Sequence, residues 1–510
     1  MFGTIVEINK VINEFVWVKI GLFLLIGTGV LTTVLTRFFQ VVHIKEWWMK
    51  TLGGMFSKES KVRKNTEKGS VSQFQALCTA LAATIGTGNI AGVSAAICMG
   101  GPGAVFWMWV AAFFGMMTSF SENVLGIYYR RKNKNGEWSG GAMYYLKDGL
   151  GKYKGCKPLG SVLAVMFSVF VVFASFGIGN MGQVNKIVIN LEDAFFTRMG
   201  LDLGFAFSDV KWSSVLIGLL IMLTAGLIIL GGLQRIAVVA EKVVPFMAIA
   251  YILGCIVVFV INIDKLGDVF ISIFKFAFGV DAVVGGAVGI SIKQVITQGC
   301  KRGVFSNEAG LGSAVIVNSS SNTKEPVIQG MWGILQVFID TFVVCTITAV
   351  VVLSSGSIDL ETGLIKKGVQ DATLVANAFG NVFGIAGNIF IAVSIFLFAF
   401  TTILGWSHYG AKAFEYLFGE KSTKFYRIFF VLMIISGALM KSSIAWDISD
   451  TFNGMMMIPN LIGVVSLSPV IIKITNNYIE RNIKKKDVTP VLSYDAIIQK
   501  ESEEAINKEN

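Results

Sequence analysis

Apolar runs separated by short polar connections repeat along the chain, and eleven reach spanning length: about 15–37, 74–99, 103–130, 159–190, 213–233, 243–262, 283–318, 327–354, 385–411, 425–440 and 446–474. A helix needs about 20 apolar residues to cross the hydrocarbon of a bilayer, so each run predicts a transmembrane helix. Two runs are interrupted. Residues 82–96 read Ala-Ala-Thr-Ile-Gly-Thr-Gly-Asn-Ile-Ala-Gly-Val-Ser-Ala-Ala, and residues 303–314 read Gly-Val-Phe-Ser-Asn-Glu-Ala-Gly-Leu-Gly-Ser-Ala. Glycine costs about 1 kcal/mol relative to alanine inside a helix. A freed amide finds no water in hydrocarbon, so such a break is tolerated where it lines a polar cavity.

The pattern Asn-x-Ala-Gly-x-x-x-Ala occurs in both places, as Asn89, Ala91, Gly92 and Ala96, and again as Asn307, Ala309, Gly310 and Ala314. Close helix packing through small residues explains one such segment; two matching ones point to the midplane binding site of an inverted-repeat transporter. Setting the first run aside leaves ten, in which the broken segments are first and sixth. That is a five-plus-five arrangement of leucine-transporter type, inverted because five is odd. The expected units are 1–70 (an extra N-terminal helix and an interfacial connection), 71–262 and 283–474 (two five-helix repeats), and 475–510 (a disordered cytoplasmic tail).

Composition agrees with an all-α polytopic membrane protein: 54% of the 510 residues are hydrophobic and only 15% charged, against about 25% charged in soluble proteins. The first run is long enough to span and is followed by no cleavage motif, so it is expected to remain as a helix. Six cysteines without Cys-x-x-Cys spacing imply no disulfide framework, and two histidines leave no histidine-rich metal centre or intramembrane zinc protease. The net charge of +10 is gathered in particular loops, which makes it an orientation signal and not a nucleic-acid footprint. Residues 37–70 and the stretch from Arg130 to Lys157 are basic and expected inside. The connections at 99–103, 191–212, 263–282, 355–384 and 441–446 are expected outside. The N-terminus is then external and the tail after Lys473 cytoplasmic, in a cell membrane.

Three strings carry a family likeness: Thr84-Ile-Gly-Thr-Gly-Asn-Ile-Ala-Gly92, Gly140-Gly-Ala-Met-Tyr-Tyr145 and Ser306-Asn-Glu-Ala-Gly-Leu-Gly-Ser-Ala314. In this order and topology they resemble the alanine or glycine:cation symporter family, also called sodium:alanine symporters, from about Phe74 to Pro469. The resemblance implies sodium-driven uptake of alanine or glycine on a leucine-transporter-like fold with one extra N-terminal helix, in contact with membrane lipid.

An amino acid offers a carboxylate, an ammonium and a side chain. The carboxylate suits the amides of Gly86, Thr87 and Gly88, where the second half of the broken helix starts and its dipole is positive, with Asn89 beside them. The ammonium suits carbonyls freed around Ala83 and Thr84. Along the other broken segment Gln298, Gly299, Ser306 and Asn307 are candidates; for Gln298 the alternative is a hydrogen bond between helices. Trp406 and Phe176 are candidates for limiting side-chain volume, against the ordinary packing role of intramembrane aromatics.

For the cation, the fold implied by the resemblance places sodium between the first broken helix and the eighth core helix. Thr401 and Thr402 would supply hydroxyls, and Ala82, Ile85 and Phe398 carbonyls, a hard oxygen set. The alternative is that the threonines bond to carbonyls one turn back. Glu122, Lys293, Lys301, Arg302, Glu308 and Asp340 lie in or near apolar runs and should face the interior or a vestibule. Glu308, Glu122 or Asp340 would be the carrier if protons replace sodium. A channel fits paired breaks at one depth less well, and no catalytic constellation suggests an enzyme.

Overall fold

The computed structural model describes residues 2–56, 62–65, 67, 69–197, 200–207, 210–278, 291–366, 374–440 and 444–507. Part of the run beginning at 283 therefore lies outside the described residues. Among them, eight helices are long and apolar enough to cross a bilayer, and ten if each of two bent pairs counts once. In chain order they are α1 (Val6–Leu35), the bent pair α2 (Gln73–Thr84) and α3 (Gly88–Gly100), α4 (Ala104–Tyr128), α5 (Lys157–Thr197), α6 (Trp212–Ile229) and α7 (Gly232–Ile261). After the amphipathic α8 (Leu266–Ala277) come α9 (Ile292–Asn307) and the short α10 (Ala314–Asn318). The rest are α11 (Pro326–Ser354), the short α12 (Leu374–Phe383), α13 (Ile385–Phe418), α14 (Ser422–Leu439), and the pair α15 (Ile444–Ser466) and α16 (Ser468–Tyr478). Each apolar run of the sequence thus carries a helix.

Local chemistry sets the ends and the breaks. Ser72 and Gln75 form a reciprocal capping box at the start of α2, each bond 3.1 Å. The axis bends by 53° between α2 and α3, where Ile85 leaves helical geometry at φ −75° and ψ 86°. Glu308 ends α9 at φ +57°, and Gly310 and Gly312 follow at φ +90° and +76°. Glycine takes that left-handed region freely, whereas a residue with a Cβ pays for it, so Glu308 is held there by its surroundings. The second bent pair turns by 59° at the Leu467 to Pro469 junction.

Two groups of helices pack side by side. In one, α4 lies along both α11 and α9, with α1 on its flank; in the other, α6 packs on α14 and α5 on α13. Helix α13 also touches α2 and α7, so it lines the seam between the groups. The main apolar core runs through the first group, and a second cluster around Val184, Ile221, Ile403 and Ile434 knits the other.

The Arg131–Lys132 and Trp138–Ser139 strands form a small hairpin at one end of the bundle. Arg130, beside it, donates to the carbonyls of Ser319, Ser321 and Thr323 at 3.1, 2.5 and 2.5 Å.

The tail departs from the expected disorder. Helix α17 spans Ala496–Asn507, Tyr494 N–H donates to Tyr128 O at 3.1 Å, and the Tyr494 ring lies 5.1 Å from that of Tyr129. Gln499 accepts from the amides of both Leu492 and Ser493 at 2.8 Å. The polar stretch buries no core of its own, but main-chain bonds and one aromatic contact are enough to seat it on the end of α4.

Candidate functional site

The two motif asparagines do the same two things. At the first break, Asn89 Oδ1 accepts from the freed Gly86 amide at 3.0 Å; at the second, Asn307 Oδ1 accepts from the Ala309 amide, also at 3.0 Å. Each carboxamide thereby satisfies a backbone donor that the lost helical turn left without a partner. Their nitrogens then reach one helix, α11: Asn89 Nδ2 donates to Asp340 Oδ1 at 2.7 Å, and Asn307 Nδ2 to Thr341 Oγ1 at 3.0 Å. Ser306 and Thr341 hydroxyls complete the shell of Asp340, donating to Oδ2 at 2.8 and 3.0 Å.

On the α13 side, Thr402 Oγ1 donates to Phe398 O one turn back at 2.9 Å and lies 3.1 Å from Ala82 O of the broken helix. A Cβ on Gly86 would fall 2.5 Å from the same hydroxyl, so only glycine lets the break come this close. Thr402, Ala82, Phe398 and Gly86 are therefore brought together, with Ile85 fully buried beside them. Thr401 is not: its hydroxyl bonds Leu397 O and Phe398 O, both at 3.0 Å, and faces Met247 Sδ on α7 at 3.6 Å.

Thr87 and Thr84 flank the break differently. Thr87 Oγ1 donates to Gln183 Oε1 of α5 at 3.1 Å, whereas the buried Thr84 hydroxyl has no partner among the described residues. Trp406 is buried, stands within hydrogen-bonding reach of the Glu308 carboxylate, and presses on α5 where a Cβ on Gly179 would lie 2.4 Å from its own Cβ. Both breaks thus reach the α5 and α13 surfaces.

Three more of the expected residues lie elsewhere. Phe176 packs in an aromatic cluster with Tyr426, Phe429 and Phe430, facing α14 and not the breaks. Gln298 sits two and a half turns before Asn307, about 13 Å along the helix at 1.5 Å per residue, with its Cβ against Gly100. Gly299 is a packing glycine, its missing Cβ filled by Ala104 O and the Trp107 side chain. An apolar run shows that these residues are in helices but not which face meets the breaks.

Two other residues bound to the breaks were not among those expected from the sequence. Gln183 belongs to the polar string Asn180-Met-Gly-Gln183 inside an apolar run, where its amides were the clue. Asn460 is similar: its Nδ2 bonds Glu122 Oε1 at 2.5 Å and Gly310 O at 2.9 Å, while its Oδ1 accepts from the Tyr145 hydroxyl of the Gly-Gly-Ala-Met-Tyr-Tyr motif. Glu122 Oε1 also accepts from the Gly312 amide at 3.1 Å, and Glu308 Oε2 from Ser313 Oγ at 2.6 Å. Among the described residues, Glu122, Glu308 and Asp340 hydrogen-bond only to neutral groups.

The comparisons with known proteins point to one family. Residues 3–492 match the profile of the sodium:alanine symporter family. The chain is 42% identical to the sodium/alanine symporter AgcS of Methanococcus maripaludis, over 94% of this chain and 99% of the other. It is 35% identical to the probable sodium/glutamine symporter GlnT of Bacillus subtilis, over 96% and 94%. Among solved structures, the transporter MhsT in complex with L-phenylalanine superposes with a TM-score of 0.52 at 14% identity, covering 80% of this chain and 99% of that one. The fold is thus of the leucine-transporter type that the paired breaks predict.

Proposed function

Because the chain belongs to the sodium:alanine symporter family, we propose that it carries alanine or glycine into the cell with sodium by alternating access. It is a membrane transporter for cation-coupled amino-acid symport and not an enzyme. The observation that carries the sodium assignment is the convergence of Ala82 O and Phe398 O on Thr402 Oγ1, at 3.1 and 2.9 Å. A small hard cation takes oxygen ligands of this kind, and it would bind only while the break stays against α13.

The amino-acid carboxylate goes to the Thr87 and Gly88 amides at the start of α3; the Gly86 amide is already held by Asn89. Its ammonium takes the free Thr84 hydroxyl and the carbonyls beside it. Trp406 closes the space left for the side chain, which favours methyl or hydrogen over longer groups. Entry of one positive charge through 100 mV yields about 2.3 kcal/mol, roughly 50-fold accumulation before the sodium gradient is counted.

A second reading, proton coupling, draws on the buried carboxylates of Glu122, Glu308 and Asp340, none paired with a cation among the described residues. Uptake of labelled alanine into proteoliposomes, at fixed pH with and without sodium and competed by glycine, serine, glutamine and leucine, decides both questions. Sodium-independent uptake that follows the pH gradient would replace sodium with protons.

A further inference from the structure

At the end of the bundle that carries the hairpin, the segment that follows α10 is held from two sides. On one side Arg130, 2% exposed, takes the carbonyls of Ser319, Ser321 and Thr323. On the other, Val71 on the approach to α2 exchanges main-chain bonds with it: Val71 N–H donates to Ser320 O at 3.0 Å, and Asn322 N–H to Val71 O at 2.9 Å. The two broken helices therefore meet at residues 319–323. The fit is close, since a Cβ on Gly126 of α4 would fall 2.2 Å from a Val315 methyl, and one on Gly140 would fall 2.5 Å from Ser319 Cβ. A guanidinium only donates, and these carbonyls are the acceptors that satisfy it in a buried place.

Arg130 is itself fixed by its chain neighbours, and the tail fixes them. Tyr494 N–H donates to Tyr128 O, and its ring lies against that of Tyr129. Its hydroxyl donates to Asp148 Oδ2 at 3.2 Å, the same oxygen that pairs with Arg131. One tail residue thus engages positions on both sides of Arg130. Lys152 adds a contact, with Nζ 5.1 Å from the centre of the Tyr494 ring. The course of the tail is set by α16, where Asn477 Nδ2 donates to Thr489 O at 2.8 Å and its Oδ1 accepts from Val491 N–H at 3.1 Å, and by Leu492, which is 1% exposed. The surface pair of Lys132 and Glu501, at 3.5 Å, contributes little beside these.

We propose that the tail is a strap: seated on the end of α4, it holds Arg130 against the carbonyls that follow α10 and so keeps the two broken helices together at this end. Release of a solute here requires those helices to part, and the segment after α10 must then leave either Arg130 or Val71. With Tyr494 seated, Arg130 cannot follow that segment, because positions 128, 129 and 131 are tied to the tail and to Asp148. The strap therefore sets how often this end opens and not what is bound. The inference rests on the alternating access proposed above, but on neither the solute nor the cation.

Thiol reactivity at position 320 tests it, in the purified full-length protein and without solute, so that the readout does not depend on transport. Ser320 is 1% exposed and its hydroxyl has no partner among the described residues, so Ser320→Cys sacrifices no bond. Cys98→Ala and Cys156→Ala remove the two native thiols that are partly exposed. Labelling by a small maleimide should be slow in this background. Tyr494→Ala combined with Gln499→Ala unseats the tail and should speed it about fivefold, as the loss of neutral hydrogen bonds implies; Arg130→Gln, which loses charge-assisted ones, should speed it about tenfold or more. Glu504→Gln, on the exposed side of α17, should leave the rate unchanged. The buried Cys78, Cys255, Cys300 and Cys345 report general loosening and should stay unlabelled throughout. The proposal falls if unseating the tail or replacing Arg130 leaves the rate at the Ser320→Cys position unchanged, or if the four buried thiols are labelled in step with it. The expected rates in a protein that takes up no alanine would keep the strap and remove only the transport reading.

Discussion

Asn89 donates to the Asp340 carboxylate across 2.7 Å, tying the first broken helix to the helix that follows the second. A hydrogen bond to a charged group contributes about 1.5–3 kcal/mol, and more is lost when the charge stays buried without it. Asn89→Leu should therefore lower Tm by several degrees and abolish uptake, and Asn307→Leu should do the same through Thr341 and the Ala309 amide. Thermal melts of the purified variants check this; a variant with unchanged Tm would mean that the asparagine is not holding the break.

Thr402 and Thr401 should behave differently although they are adjacent. Thr402→Val removes one oxygen from the set shared with Ala82 and Phe398, and by the same bond energy should raise the half-saturating sodium concentration about tenfold or more. Gly86→Ala should act likewise by pushing a methyl into that hydroxyl. Thr401→Val, whose hydroxyl faces Met247, should change it less than threefold. Sodium titration of alanine uptake reads all three, and equal effects at 401 and 402 would move the cation site.

Trp406 offers a test of size selection. Trp406→Leu should admit valine or leucine, each buried methylene contributing about 0.8 kcal/mol, while alanine binds more weakly for want of contacts around its methyl. Competition assays on both proteins give the ratio of alanine to leucine affinity. An unchanged ratio in a folded, sodium-binding variant removes Trp406 from the site.

Arg481 and Glu325 form a largely buried pair at 2.7 Å, with side chains 12% and 7% exposed. Burial pushes the Glu325 carboxyl up and Arg481 opposes it. Removing one partner of a buried pair costs about 3–5 kcal/mol, so Arg481→Met should lower Tm markedly at neutral pH. A carboxyl whose folded pKa is raised binds its proton more tightly folded than unfolded. Stability of the variant should therefore recover as pH falls through that raised value, and melts across pH 5 to 8 follow it.

Orientation is open to labelling from outside intact cells. A cysteine at exposed Glu361 should react with an impermeant reagent, and one at exposed Lys134 should not, if the basic loops face the cytoplasm. The reverse pattern would invert the topology.

What the sequence made legible was whatever is local. The glycines and asparagines of the breaks state their own geometry, because a lost helical turn and its repair lie within a few residues. Thr402 was expected only through the fold that the family resemblance implies, and its hydroxyl lies 3.1 Å from Ala82 O of the broken helix. Gln183 and Asn460 were not expected, since an amide in an apolar run gains meaning only from the helix opposite. Phe176 and Gln298 turn away from the breaks, and the sequence left that open for the same reason: the run is apolar on every side, so periodicity does not say which face turns inward. The ordered tail depends on Tyr128 and Tyr129, more than 350 residues earlier in the chain, and composition alone registers only its polarity.

Asp340 and Thr341 are consecutive residues, yet one receives Asn89 and the other Asn307. A single step of one helix is thus the shared anchor of both breaks, and a change of angle at one break is felt at the other without any longer relay. In the proposed mechanism, the free energy that the cation gains by settling the first break is then available to the solute, and linkage requires the solute to return the same factor to the cation. On this arrangement the affinity of sodium should rise with alanine by as much as the affinity of alanine rises with sodium, and a helix register of one residue sets the exchange.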